Sequence, residues 1–282
     1  MKRPLLLTAV LLSVLFLPSA CKKSAPPQPA AGGAPNPAAS ASPNIEAALK
    51  DFVQLDQEAI RKNPNDAGNY YNLANLYFTA GKFPEAIEQY RQAIRLDPKD
   101  AAARYELGQC YLRLERYDEA FAAFNESLKL NPKNASVYNE MGNAYFKQER
   151  TKEALAAYRK AVSLKPDFAE AYFGLGNLHT RLEQPQEAVK AFRQATRLNP
   201  KDVDAFFNLG NSHSRLKQFD EAITAYKEAV KLKPEDGEAR LRLAVLYLET
   251  GKRDAAAAEH NALRGTNPEL AAMLDEKLKG QK

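Results

Sequence analysis

From Ala67 onward the sequence repeats every 34 residues without a slip in register, and that period constrains the fold more than any other feature of the chain. With positions numbered 1 to 34, the units start at Ala67, Ala101, Ala135, Ala169, Val203 and Gly237. Position 7 holds Leu73, Leu107, Met141, Leu175, Leu209 and Leu243, and position 8 holds Ala74, Gly108, Gly142, Gly176, Gly210 and Ala244. At position 11 stand Tyr77, Tyr111, Tyr145, His179, His213 and Tyr247. Alanine fills position 20 in all six units, and position 24 is aromatic in five (Tyr90, Phe124, Tyr158, Phe192, Tyr226) before His260. Positions 4, 7, 8 and 11 share one face of a helix, and positions 20, 24 and 27 share one face of a second. Proline at position 32, from Pro98 to Pro268, predicts the end of each second helix. Four glycines at position 8 imply a close approach of the second helix, which presents the alanine of position 20.

This pattern resembles the tetratricopeptide repeat over residues 67–270. The resemblance implies an all-α, right-handed superhelix of antiparallel helix pairs, with about 14 helices and no single central core. Five full units (67–100, 101–134, 135–168, 169–202, 203–236) precede a degenerate sixth at 237–270. Residues 45–66 read as a half-repeat capping helix and 271–282 as a C-terminal capping helix.

The chain before the repeats has another character. Lys2 and Arg3 precede an apolar run from Leu5 to Leu17, so residues 1–20 read as a secretory signal, shorter than the ~20 apolar residues of a membrane span. Ser19 and Ala20 lead into Cys21, which resembles the bacterial lipobox, although Pro18 stands where that motif usually has leucine. The resemblance implies lipidation of Cys21. Residues 21–44 are rich in alanine and proline, with no acid, and read as an extended tether reaching on the order of 60–70 Å. Lys22 after the cysteine, in place of aspartate, implies the periplasmic face of the outer membrane.

Function is expected where packing makes no demand. Positions 5, 9, 12 and 13 lie opposite the core face of the first helix. Position 5 carries Tyr71, Tyr105, Asn139, Phe173, Phe207 and Leu241, and position 12 is aromatic at Phe78 and Phe146. Position 9 carries Asn75, Gln109, Asn143, Asn177 and Asn211, and position 13 carries Arg113, Lys147, Arg181 and Arg215. In tetratricopeptide proteins this face lines a concave groove for partner peptides. Carboxamides both donate and accept, rings supply anchoring area, and the cations imply acidic partners. The carboxylate clamp of chaperone-binding members does not fit. The best window reads Phe173, Asn177, Asn208, Glu238 and Arg242, with two of five positions wrong, one of those two with inverted charge.

Other function classes find little support. The surplus of 40 basic over 35 acidic residues is spread along the chain, which argues against a nucleic-acid partner. His179 and His213 occupy core positions, His260 stands among alanines, and Cys110 reads as a buried inert thiol, so no catalytic or metal-binding constellation and no cofactor is expected. The expectation is a non-catalytic adaptor, lipid-anchored in a bacterial envelope, of undetermined oligomeric state. It resembles lipoproteins that help assemble pilus, secretion or outer-membrane machinery. A component of polysaccharide export, a regulator of a cell-wall enzyme and a self-associating solenoid are the alternatives.

Overall fold

The computed structural model describes residues 43–279, all helix and short turn. The signal, Cys21 and all but the end of the tether lie outside the described residues. Helix α1 (Pro43–Lys62) is followed by the pairs α2 (Ala67–Thr79) and α3 (Phe83–Leu96), α4 (Ala101–Arg113) and α5 (Tyr117–Leu130), and α6 (Ala135–Lys147) and α7 (Thr151–Leu164). The pairs α8 (Ala169–Arg181) and α9 (Pro185–Leu198), α10 (Val203–Arg215) and α11 (Phe219–Leu232), and α12 (Gly237–Glu249) and α13 (Arg253–Thr266) complete the six units, and α14 (Pro268–Lys279) closes the array. The fold is an all-α solenoid with 14 helices among the described residues, as the period implies.

Each unit starts and turns by local chemistry. Position 34 caps the next first helix: Asp66, Asp100, Asn134, Asp202 and Asp236 each accept from a backbone N–H two or three residues on. Such caps contribute about 1 kcal/mol each. Phe168 takes the place before α8 without a capping bond; it is buried among Ala135, Ala161 and Ala171 instead. Between the two helices of a unit, position 15 adopts the left-handed conformation every time, at Gly81, Glu115, Glu149, Glu183, Lys217 and Gly251. That residue lets the N–H of position 16 reach back to the carbonyl of position 11, as Arg116 does to Tyr111 and Gln184 to His179, both at 2.9 Å.

The core is a series of small clusters, one passing into the next. At the centre of each sits the position-24 ring: Tyr90, Phe124, Tyr158, Phe192 and Tyr226 are all fully buried. These rings, and not Ala at position 20, are what the position-8 glycines accommodate. A Cβ on Gly108 would lie 2.5 Å from Phe124, on Gly142 2.7 Å from Tyr158, and on Gly176 2.5 Å from Phe192. Tyr158 is closed in from the next unit too, because a Cβ on Gly174 would come within 2.5 Å of its ring.

First helices α4 and α6, α6 and α8, and α8 and α10 touch one another along the array, so they form its continuous inner layer. At the C-terminal end α14 packs on both α12 and α13, in the place a further first helix would take. Pro268, at position 32 of the last unit, opens α14 directly after the Asn267 cap. His260 is not isolated among alanines: it is buried, and its Nε2 lies 2.8 Å from Oδ1 of Asp275 on α14.

Candidate interaction groove

The expected site residues lie on the inner layer, and the structure divides them into those that packing employs and those it leaves over. The position-5 rings are part of the core wall. Tyr71 meets Tyr90 at 5.8 Å, Tyr105 meets Phe124 at 6.0 Å, Phe173 meets Phe192 at 5.7 Å and Phe207 meets Tyr226 at 5.7 Å. Each therefore leans on the position-24 ring of its own unit while keeping partial exposure.

The carboxamides at position 9 are not free to donate and accept alike. The Oη of Tyr90 donates to Oδ1 of Asn75 at 2.5 Å, Tyr158 to Asn143 at 2.7 Å and Tyr226 to Asn211 at 2.6 Å. Their acceptor side is taken, and what remains is an oriented NH₂ group. In Asn75 that group is turned to the hydroxyl of Tyr71, and in Asn211 it has no partner among the described residues. The two units with phenylalanine at position 24 lack the hydroxyl. There Gln109 donates to Oε2 of Glu106 at 2.9 Å, while Asn177 has no hydrogen-bond partner among the described residues.

The cations of position 13 also divide. Arg113 lies 5.9 Å from the centre of the Phe78 ring and Arg181 5.2 Å from that of Phe146, each stacked on the preceding unit's position 12. Arg181 further pairs with Glu149 and donates to the carbonyl of Phe146. Lys147 and Arg215, whose preceding units offer Leu112 and Thr180, are exposed without such stacking. Two of the four cations thus stitch neighbouring units together, which undercuts an anionic partner read from their number.

Sequence reasoning missed the acids of position 6. Glu106 and Glu140 are half-buried on the same layer. Burial pushes Glu106 up to about 7, with the charge of Glu140 adding to it and the Gln109 amide opposing. Burial also raises Glu140, against the amides of Asn143 and Asn139 and the charges of Arg113 and Lys147. The signal was present as two glutamates at one repeat position, in a column that neither the core pattern nor the expected groove included. Cys110 is buried, its thiol pushed up to about 12 by burial and by Glu106. His179 and His213 are buried and each places Nδ1 beside the position-16 glutamine, at 2.8 Å from Gln184 and 2.7 Å from Gln218. Among the described residues no three His, Cys, Asp or Glu side chains gather as metal ligands, and no helix is long and apolar enough to cross a membrane.

Known proteins share this architecture. Among solved structures, PilF of Pseudomonas aeruginosa superposes with a TM-score of 0.64 at 20% identity, over 75% of this chain and 97% of that one. YrrB, described as a TPR protein with an unusual peptide-binding site, gives 0.51 at 28% identity, over 71% of this chain and 99% of its own. MamA gives 0.53 at 22%, over 59% and 97%. No curated protein matches the chain closely enough to count as a relative. Family models described as tetratricopeptide repeat match residues 71–135, 123–156, 169–202 and 203–236, and one described as TPR repeat matches 142–183. Together these cover residues 71–236, more than half of the sequence, and with the helical hairpins and ring-centred cores they establish that the chain belongs to the tetratricopeptide repeat family.

Proposed function

We propose that this protein is a non-catalytic adaptor that holds a partner polypeptide in the groove lined by its first helices, tethered through a lipid on Cys21 to the periplasmic face of a bacterial outer membrane. The pinned carboxamides carry this reading. Tyrosine hydroxyls at position 24 fix the acceptor side of Asn75, Asn143 and Asn211, so in the first, third and fifth units an NH₂ donor stands in one orientation on the inner layer, turned to Tyr71 in the first, to Glu140 in the third and left over in the fifth. An extended peptide presents backbone carbonyls that such donors match, and donors held in place beforehand lose less entropy on binding. That YrrB, at 28% identity, is described as a TPR protein with an unusual peptide-binding site supports peptide binding by a solenoid of this kind. The basic start, apolar run and Cys21 support the anchor, and the alanine- and proline-rich residues that follow support a spacer.

Two experiments test the reading. A photoreactive residue at Asn177 or Lys147, neither of which makes a described hydrogen bond, is expected to capture one envelope protein in living cells; the same residue at exposed Lys160 is not. Equal capture from all three places would sink the groove. For the anchor, cells fed an alkynyl fatty acid should label the wild-type chain and leave Cys21→Ser unlabelled, with the variant leaving the membrane fraction. Label that persists in the variant would refute lipidation at that residue.

A further inference from the structure

In the row of position-5 side chains, Asn139 stands between Tyr105 and Phe173, where the neighbouring units carry rings. It is 4% exposed, and its Oδ1 has no hydrogen-bond partner among the described residues. A buried acceptor without a donor bears its full desolvation cost, so such atoms are rare and call for an explanation. The other arm of the same amide donates to Oε1 of Glu140 at 3.4 Å, which holds Oδ1 beside that carboxylate. Asn143 donates to the second oxygen of Glu140 at 3.3 Å.

Glu106, on the adjacent first helix, is close enough for the two carboxylates to act on each other, and both act on the hydroxyl of Tyr105. Their partners are neutral amides. Arg113 and Lys147 influence Glu140 from a distance, but neither makes an ion pair with it among the described residues, and Arg113 lies over Phe78. Two carboxylates, an orphaned carbonyl oxygen and a tyrosine ring therefore converge with amide donors but no ion-paired cation. The group that complements them carries positive charge and several N–H donors, and stacks on an aromatic face.

We propose that Asn139, Glu106 and Glu140, with Tyr105 beside them, form a subsite for a lysine or arginine side chain of the peptide in the groove. This rests on the groove reading above and specifies the partner's charge at one point along it. It reverses the acidic preference that the position-13 cations suggest.

The test is a positional-scanning library of decapeptides, capped at both ends, bound to the full chain. Lysine or arginine should be enriched at one place in the peptide, and the best binder should lose at least tenfold in affinity for the double variant Glu106→Gln, Glu140→Gln. These substitutions are isosteric and keep the Gln109 donor to residue 106 and one of the two amide donors to residue 140, and circular dichroism verifies the fold. Peptides selected without a basic preference, or bound equally by the double variant, overturn the subsite. Phe207→Ala, two units away, separates the two claims. Binders weakened by Phe207→Ala and not by the glutamine pair leave the groove standing and remove the subsite, whereas a library without binders removes both.

Discussion

A glutamate that burial pushes up to about 7 has a thermodynamic signature. Between the ordinary glutamate value and about 7, folded Glu106 keeps a proton that the unfolded chain has released. Its contribution to stability is complete below the unfolded value and is lost as pH rises through the folded one. Wild type should therefore lose more stability than Glu106→Gln between pH 5 and pH 8, by about 2–3 kcal/mol in urea titrations. Equal losses would show that the carboxylate is hydrated in solution. Glycine makes a second residue-scale case. Alanine normally gains ~1 kcal/mol over glycine inside a helix. Tyr158, however, is enclosed by Gly142 on one side and Gly174 on the other. Gly174→Ala leaves that ring nowhere to move and should cost about 1–3 kcal/mol by thermal denaturation. Some residue-scale detail was readable by comparing units with one another. Tyr111 and Tyr145 at position 11 go with Arg116 and Arg150 at position 16, stacked at 4.8 and 4.5 Å, while the two histidines go with glutamines. Asn139 gave no such hint, because an asparagine on a helix face looks soluble until its burial is known.

The helix pairs themselves were legible, since proline and apolar spacing coincide in every unit and a capping side chain in all but the one that opens at Ala169. The turn between them was not. Nothing in Glu115, Glu149, Glu183 or Lys217 announces a left-handed backbone, and only Gly81 and Gly251 at the ends of the array reveal what position 15 requires. A side chain in that conformation costs roughly 1–2 kcal/mol, part of which glycine's greater freedom in the unfolded chain offsets. Glu183→Gly or Lys217→Gly should thus stabilise the protein by about 0.5–1 kcal/mol, seen as a higher urea midpoint at unchanged m-value. Destabilisation would mean that these side chains make contacts beyond their backbone role. The proposed groove was legible as a face and not as chemistry. Periodicity places Asn75 and Asn211 on it, but the hydroxyls of Tyr90 and Tyr226 that occupy one side of each amide come from another helix.

At the scale of the molecule, stability is distributed. Each unit is held by its neighbours, and the last is held by α14, whose Leu274 is fully buried against α12 and α13. Leu274→Ala should cost about 2–4 kcal/mol, but locally. Hydrogen exchange should quicken in α12 to α14 and stay unchanged in α4 to α8, whereas acceleration throughout would indicate one cooperative unit. Repetition of this kind has a further consequence. A surface made of equivalent steps offers a bound strand several equivalent alignments, and with five of them the population divides five ways, worth about 1 kcal/mol at room temperature. Such a surface recognises direction and length but not place. Asn139 is the step that differs from Tyr105 before it and Phe173 after it. On the proposed subsite it would act as an index mark on a ruler, turning a surface that measures a ligand into one that gives it an address.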